Sequence, residues 1–401
     1  MRVFLSCLVC RIVTFVLHKL GRGATSMPGK VALKVKRNVL KDLSKNTKVI
    51  VVTGTNGKTT SCRILEEGLK KAGKSYFINK SGANLITGVT ASFIMNSTVT
   101  GKCKKDYAII ECDENAFKEV SRYIHCDVIL VTNVFRDQLD RYGEVTHTLN
   151  AIKESVKNLP NAIVCLDADC SLTYSMSKEI SNKIITFGVN VPFDKNAKAP
   201  EISDAKYCIF CKHEYDYTYH TYGHLGGFVC NNCGYKRPKP DFAVESVEEM
   251  KNDHSVVVAN LNGDRNIIKV NIGGAYNIYN AIGCAAALTA LGIEQKIIID
   301  AIENFNGAFG RMEHFKAGNN TVNLILVKNP AGFSQTMNFL KSIDDDFTLI
   351  LSLNDNAADG RDISWIWDVD FSGIFDKPNV KELYVTGKRC YDMAVRLNTK
   401  A

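Results

Sequence analysis

The 401 residues carry 50 Lys and Arg against 42 Asp and Glu, a formal net charge of +8, with 45% hydrophobic and 23% charged residues. That length allows two or three domains with cores of their own, and the composition is that of a soluble globular protein. The mildly basic balance fits anionic ligands such as nucleotides or pyrophosphates, and without a basic stripe it gives no argument for nucleic acid as the partner. In chain order, residues 1–45 read as an N-terminal helical segment. The apolar run MRVFLSCLVCRIVTFVLHKL is interrupted by Arg11 and His18 and lacks a small-residue cleavage site. It predicts a docked amphipathic helix, with peripheral contact at a membrane surface as the sharper alternative.

A β-branched run from Lys48 to Thr53 predicts a buried strand, and Thr59–Lys71 has helical spacing with Gly73 as its stop. Further strands are predicted at Tyr107–Cys112, Asp127–Thr132 and Ala162–Leu166, with a helix over Val145–Asn158. Strands alternating with helices imply a mostly parallel sheet covered on both faces. Residues 206–239, rich in Tyr, Gly, His and Cys, break the rhythm. Short strand-like stretches then lead to a helix from about Tyr276 to Leu291. After GRMEHF (310–315) the alternation restarts with LILV (324–327), a helix near Ser334–Ser342, TLILSL (348–353) and ELYVTG (382–387). This predicts a smaller second α/β domain that ends without a capping signal, as if cut short.

The turn between the first strand and helix reads VVTGTNGKTT, with Val52 where a phosphate loop of the form G-x-x-x-x-G-K-[ST] has its first glycine. A strand running through glycines into a helix directs backbone N–H groups at an anion. Gly54 and Gly57 allow the turn, with Thr55 and Asn56 between them. Lys58 can reach the β- and γ-phosphates of ATP, and Thr59 or Thr60 can hold Mg²⁺ through its hydroxyl.

Fourteen cysteines are present; ten are spread through the predicted strands and helices, as in a reducing cytosol, and four are patterned. Cys208-x₂-Cys211 and Cys230-x₂-Cys233 are separated by eighteen residues, the spacing of a zinc ribbon. Four thiolates leave Zn²⁺ no open position, so such a site is structural. His213, His220 and His224 are left as loop residues. The segment is aromatic and mixed in charge, which argues against nucleic acid.

GTNGKTT resembles the nucleotide loop of the Mur ligase superfamily, whose members phosphorylate a carboxylate with ATP and let an amine attack the acyl phosphate. The resemblance makes Val52 a family variant. AIIECDEN places Glu111 where the superfamily has a Mg²⁺-binding glutamate, with Glu114 nearby to share that task. NIYNAIGCAAAL resembles the helix whose asparagines approach the adenine, here Asn277 and Asn280. GRMEHF resembles the linker motif whose arginine contacts ATP phosphates, here Arg311.

Only about fifty residues precede the loop, too few for the UDP-binding domain of the amino-acid-adding murein ligases. With the four-cysteine insert, VFRDQLDRYGE (134–144) and NDNAADGRDISWIWD (354–368), the chain resembles the MurT family, the synthetase subunits of lipid II isoglutaminyl synthase. The resemblance implies a parallel-sheet Mur ligase central domain over 46–310, with a four-cysteine zinc ribbon inserted at 205–238, and a smaller α/β C-terminal domain over 311–401. It implies ATP, Mg²⁺ and structural Zn²⁺, a cytoplasmic location at the inner membrane face, lipid II as substrate, and ammonia from a separate glutaminase subunit, GatD. Lys58 and Glu111 would serve phosphoryl transfer. Asp355 or Asp359 would complete the partner's Cys–His pair, with Asp362 in the same stretch and Trp365 and Trp367 assigned to packing or the subunit interface. The same-superfamily alternative is a Mur or folylpolyglutamate-type ligase that adds an amino acid to a carboxylate.

Overall fold

The computed structural model describes residues 1–401 except 22, 24, 80–81, 137–144, 194–203, 252, 306–312, 319, 342, 357–360, 372, 375 and 400–401. β-Branched side chains pack well on a pleated surface buried on both faces. Accordingly KVIVVT forms β1 (Lys48–Thr53), with every residue after Lys48 buried. It lies inside a nine-stranded sheet with β2 (Tyr76–Ile78), β3 (Tyr107–Glu111), β4 (Val128–Val131), β5 (Ile163–Asp167), β6 (Ile184–Val189), β9 (Phe242–Met250), β10 (Ser255–Leu261) and β11 (Asp264–Val270). β7 (Asp216–His220) and β8 (Gly226–Val229) form a separate antiparallel pair in the insert between β6 and β9.

The order is β11-β10-β9-β6-β5-β4-β1-β3-β2. Pairing is parallel from β2 to β9 and antiparallel in the meander β9–β11. β1 has β3 on one side and β4 on the other, so chain order reverses beside it, and a crevice forms at the carboxyl ends of these strands.

At the N-terminus, α1 (Arg2–Lys19), α2 (Met27–Val35) and α3 (Val39–Ser44) join the same core as the sheet through Cys7, Cys10, Ala32, Leu40 and Leu43. α4 (Lys58–Lys71), α5 (Ile86–Met95) and α6 (Glu114–Val120) follow, and the long helix Ala275–Ala290, rich in alanine and buried along most of its length, packs against α4 and the sheet.

A second core lies among Phe333, Met337, Leu351, Trp365, Ile366 and Met393. It joins the helix Pro330–Lys341 to the parallel pair β14 (Phe347–Ser352) and β15 (Val380–Thr386). The LILV run is corrected here. Only Leu324 is in a strand, as the last residue of β13 (Asn320–Leu324), which pairs in an antiparallel hairpin with β12 (Glu313–Ala317). The neighbouring helix starts earlier than expected because Pro330 occupies its first turn, where a missing N–H costs nothing.

Candidate nucleotide site and cysteine ribbon

The turn from β1 to α4 is held from behind by the chain after β4. Thr55 N–H donates to Asn133 O (2.9 Å) and Asn56 N–H to Asn133 Oδ1 (3.0 Å). Thr132 Oγ1 donates to Asn56 O (2.7 Å), and Thr55 Oγ1 both donates to Phe135 O and accepts from Phe135 N–H. Gly57, the residue before α4, has φ +86°, and a Cβ there would collide with the Asn280 side chain. Glycine is therefore required twice at that point, by conformation and by space. Thr59 is half-buried and Thr60 buried in the first turn of α4.

Lys58 bends back over the loop. Its Nζ donates to Gly54 O (2.6 Å), Thr55 O (3.2 Å) and Glu114 Oε1 (2.6 Å). The carboxylate on Lys58 is thus Glu114, from the first turn of α6, and not Glu111. Burial pushes the Glu114 carboxyl up, and Lys58 offsets part of that rise. Glu111 ends β3 level with Val52 of β1 and is buried. Its backbone is fixed by Asn79, which accepts from Glu111 N–H (2.8 Å) and donates to Glu111 O (2.9 Å). Asp113 caps α6 through Asn115 N–H and Ala116 N–H. Two buried glutamates at the carboxyl end of β3, beside a hydroxyl-bearing helix start, fit a hard, oxygen-bound cation such as Mg²⁺.

The start of the 275–290 helix closes the other side. Asn277 and Asn280 are buried, and Asn280 Nδ2 donates to Asn277 Oδ1 (2.9 Å) while Asn277 Nδ2 donates to Gly273 O (2.6 Å). Asn280 thereby lies against the loop. The C-terminal region reaches the same loop: Asn329 Nδ2 donates to Asn56 Oδ1 (3.0 Å). Arg136 and Asp368 form a second contact to that region at 3.0 Å.

The four patterned cysteines converge, all their sulfurs lying within 4.8 Å of one another. The two Cys-x₂-Cys turns are built alike. Lys212 N–H donates to Cys208 O and Gly234 N–H to Cys230 O, both at 2.9 Å, and Lys212 and Gly234 both have positive φ (+63° and +76°). Around tetrahedral Zn²⁺, with Zn–S of ~2.3 Å, sulfurs stand ~3.8 Å apart. Cys208–Cys233 at 3.6 Å and Cys211–Cys230 at 3.4 Å fit that spacing. The Asn232 side chain and His213 N–H draw the Cys211 thiol down to about 6. Against a lowering hydrogen bond from Tyr235 N–H, burial and the other thiols push Cys233 up to about 12. Crowded thiols of this kind ionise together only around a cation, so the donor set fits zinc.

The far end of this insert folds back towards the nucleotide loop. Tyr222 stacks on Phe135 at 5.7 Å, and buried His224 lies 4.4 Å from the Phe135 ring with its Nε2 3.4 Å from Cys170 Sγ. Thr221 Oγ1 and Tyr279 Oη are 2.8 Å apart, one residue from Asn280. The insert is anchored by Arg237, which pairs with buried Asp169 at 2.6 Å.

Asp355 follows β14, half-buried, with its carboxylate 3.9 Å from Arg389 Nη1. Its loop is pinned to the turn after β15 by Lys388 N–H to Asn354 Oδ1 (3.0 Å) and Arg389 N–H to Leu353 O (3.0 Å). Asp362 instead accepts from Ser364 N–H (2.8 Å) at the start of a short helical turn. Trp365 is core, whereas Trp367 is half exposed and covered by Arg396.

Residues 52–288 match the Mur ligase middle domain, and residues 326–401 match the MurT ligase C-terminal region. Over 397 residues the chain is 36% identical to the lipid II isoglutaminyl synthase (glutamine-hydrolyzing) subunit MurT of Streptococcus pneumoniae, covering 99% of this chain and 87% of that one. The chain belongs to the MurT family.

A second MurT relative, from Staphylococcus aureus, is 32% identical over 94% of this chain and 83% of its own. MurT-family membership places the chain among the Mur ligase-type synthetases, and the solved structures agree at the level of fold. MurF from Acinetobacter baumannii superposes with TM-score 0.66 at 15% identity, covering 92% of this chain and 74% of that chain. A pseudomurein peptide ligase type C from Methanothermus fervidus gives 0.64 at 22%, covering 86% and 68%.

Of the residues expected from the sequence, Gly54, Thr55, Asn56, Gly57, Lys58, Thr59, Thr60, Glu111, Asn277 and Asn280 meet around one loop of this MurT-family chain. Arg311, Asp359, the linker at 310/311 and positions 137–144 of the RDQLDRYGE stretch lie outside the described residues. Asn329, Thr132, Asn133 and Phe135 are not among the expected residues. The Asn329-Pro330 pair signals a helix start in sequence, but nothing local signals its contact with Asn56.

Proposed function

We propose that this chain is the ATP-dependent synthetase subunit of a lipid II isoglutaminyl synthase, with an N-terminal helical segment (1–45), an ATP-binding domain (46–310) and a C-terminal domain (311–401). It would activate the α-carboxyl of the D-glutamate in the lipid II stem peptide and amidate it with ammonia from a GatD-like glutaminase subunit. The reading is carried by the Lys58 loop facing Glu111 and Glu114 in a chain 36% identical to a MurT subunit.

A carboxylate repels nucleophiles and has no leaving group. In the proposed reaction one carboxylate oxygen attacks the γ-phosphorus of ATP and the bond to the β–γ bridging oxygen breaks, releasing ADP. Ammonia then attacks the acyl carbon, the C–O bond to phosphate breaks, inorganic phosphate leaves, and the nitrogen gives up a proton. Thr59 or Thr60 with Glu111 and Glu114 would hold Mg²⁺, which supplies charge neutralisation at the phosphates. Lys58 would leave Gly54 O and Thr55 O for the phosphates, and Arg311 would clamp them as the C-terminal domain closes and water is excluded. Asn277 and Asn280 would meet the adenine. Asp355 or Asp359 would orient the partner's imidazole, as the third member of a triad does.

The test is co-expression with a candidate glutaminase, followed by assay of lipid II amidation with ATP, glutamine and Mg²⁺. One ADP is expected per amide. Amide formed with no ADP would overturn the reading, and glutamate or another amino acid incorporated in place of ammonia would point to the amino-acid-adding alternative.

A further inference from the structure

α1 is turned inside out. Its buried side carries Ser6, Cys7, Cys10 and Thr14, and Ser6 Oγ donates to Ala32 O (2.6 Å) on α2. Its solvent side carries Phe4, Leu5, Leu8, Ile12, Phe15 and Val16, exposed by between 36% (Leu8) and 60% (Phe15). These positions recur at helical spacing, so the large apolar side chains form one continuous stripe along a helix of ~27 Å. Arg11 does not interrupt it, because its guanidinium turns inward to the carbonyls of Ile94 and Ser97. Lys19 stands at the end with its ammonium over the Phe15 ring. A soluble surface would place these residues the other way round, and an exposed stripe of this kind marks a contact face.

The charge around the stripe identifies what it contacts. Residues 1–45 hold ten Lys or Arg and one acidic residue, Asp42, leaving 40 Lys and Arg against 41 Asp and Glu in the other 356. The basic excess, diffuse when counted over the whole chain, is therefore confined to the first 45 residues. Lys30 and Lys34 are exposed on α2, which packs beside α1. No helix among the described residues is long and apolar enough to cross a membrane, so the stripe has the character of a helix lying in an interface.

We propose that α1 is an in-plane membrane anchor that lays its Phe4–Val16 stripe among acyl chains while the surrounding lysines and arginines meet anionic phospholipid headgroups. Aromatic and leucine side chains supply the apolar burial, and the basic residues add an attraction that salt screens. The inference is independent of the proposed reaction, since its test involves neither ATP nor ammonia.

The full chain is floated with vesicles of phosphatidylcholine alone or mixed with phosphatidylglycerol. Binding is expected only to the mixed vesicles, weakening as salt rises. Ile12→Glu/Phe15→Glu, at two exposed positions, is expected to reduce binding at least about tenfold while nucleotide binding is retained. Lys30→Glu/Lys34→Glu, which leaves the stripe untouched, is expected to weaken it and flatten the salt dependence. Failure of the wild-type chain to float with anionic vesicles overturns the proposal, as does equal flotation of both double variants and wild type. A dimer in solution that Ile12→Glu/Phe15→Glu dissolves, without vesicle binding, would assign the stripe to a second copy and also overturn it.

Discussion

Lys58 and Glu114 form an ion pair of 2.6 Å, with the lysine only 14% and the glutamate 5% exposed in their side chains. The pair joins the first residue of α4 to the first residue of α6 across the phosphate loop. Each group neutralises the other, so in the proposed reaction a triphosphate would take the lysine and a cation the carboxylate. Lys58→Ala is expected to lower amide formation by ~10²–10³-fold, the usual loss when one group opposing transition-state charge is removed. Single-turnover ADP release would measure it.

The same pair sets a pH dependence. Burial raises the Glu114 carboxyl, so protons compete with a cation at a higher pH than for an ordinary glutamate. Affinity for the Mg²⁺–nucleotide complex is expected to be full above that raised value and to fall as the pH drops through it. Calorimetric titration of wild type and Glu114→Gln across pH would check this. The same slope in both proteins would remove Glu114 from the metal site.

Gly57→Ala tests the double requirement at the loop. A left-handed backbone costs an L-residue ~1–2 kcal/mol, and the new methyl also meets Asn280. Gly57→Ala/Asn280→Ala removes the collision but not the backbone cost. The double variant is expected to recover part of the lost thermal stability but not nucleotide affinity, as seen in melting curves with and without ATP.

If the four cysteines hold zinc, removing it, or replacing Cys211 with serine, is expected to reach the loop before α4. Phe135 is hydrogen-bonded to Thr55 on one side and covered by Tyr222 and His224 from the ribbon insert on the other. Loosening the insert withdraws that cover. Nucleotide affinity should fall several-fold on chelation and return on zinc addition; an unchanged affinity would confine the ribbon to other work.

His224 makes the fold acid-sensitive. Burial lowers its imidazole to about 4, against an opposing pull from Asp204. The unfolded chain takes up the proton near 6.5 and the folded chain does not, so stability is full above ~6.5 and is lost as pH falls towards ~4, by up to roughly 3 kcal/mol. His224→Gln is expected to flatten the denaturation midpoint over that interval relative to wild type.

The parts of this architecture that are legible in the sequence are local ones. Gly54, Gly57 and Lys58 are fixed by what one turn must do, and Cys208, Cys211, Cys230 and Cys233 by what one ion requires. The Lys58–Glu114 pair, the Asn56–Asn329 contact and the packing of Tyr222 on Phe135 join positions 56, 273 and 87 residues apart, and no spacing rule encodes such meetings. LILV misleads because an apolar run of four suits a buried strand, whereas here only its first residue is in a strand and Leu326 is exposed. The 1–20 run reads as an amphipathic helix, but amphipathicity alone does not say which face turns inward; Ser6 and Thr14 do.

The amide of Asn56 has a mechanical meaning. Its backbone is tied to Asn133, just after β4, while its side chain is gripped by Asn329 at the root of the C-terminal region. Any swing of that region that breaks the amide–amide link also releases one side of the turn before α4. If that turn holds the nucleotide as proposed, movement of the C-terminal region and the grip on the nucleotide would be coupled through two asparagines.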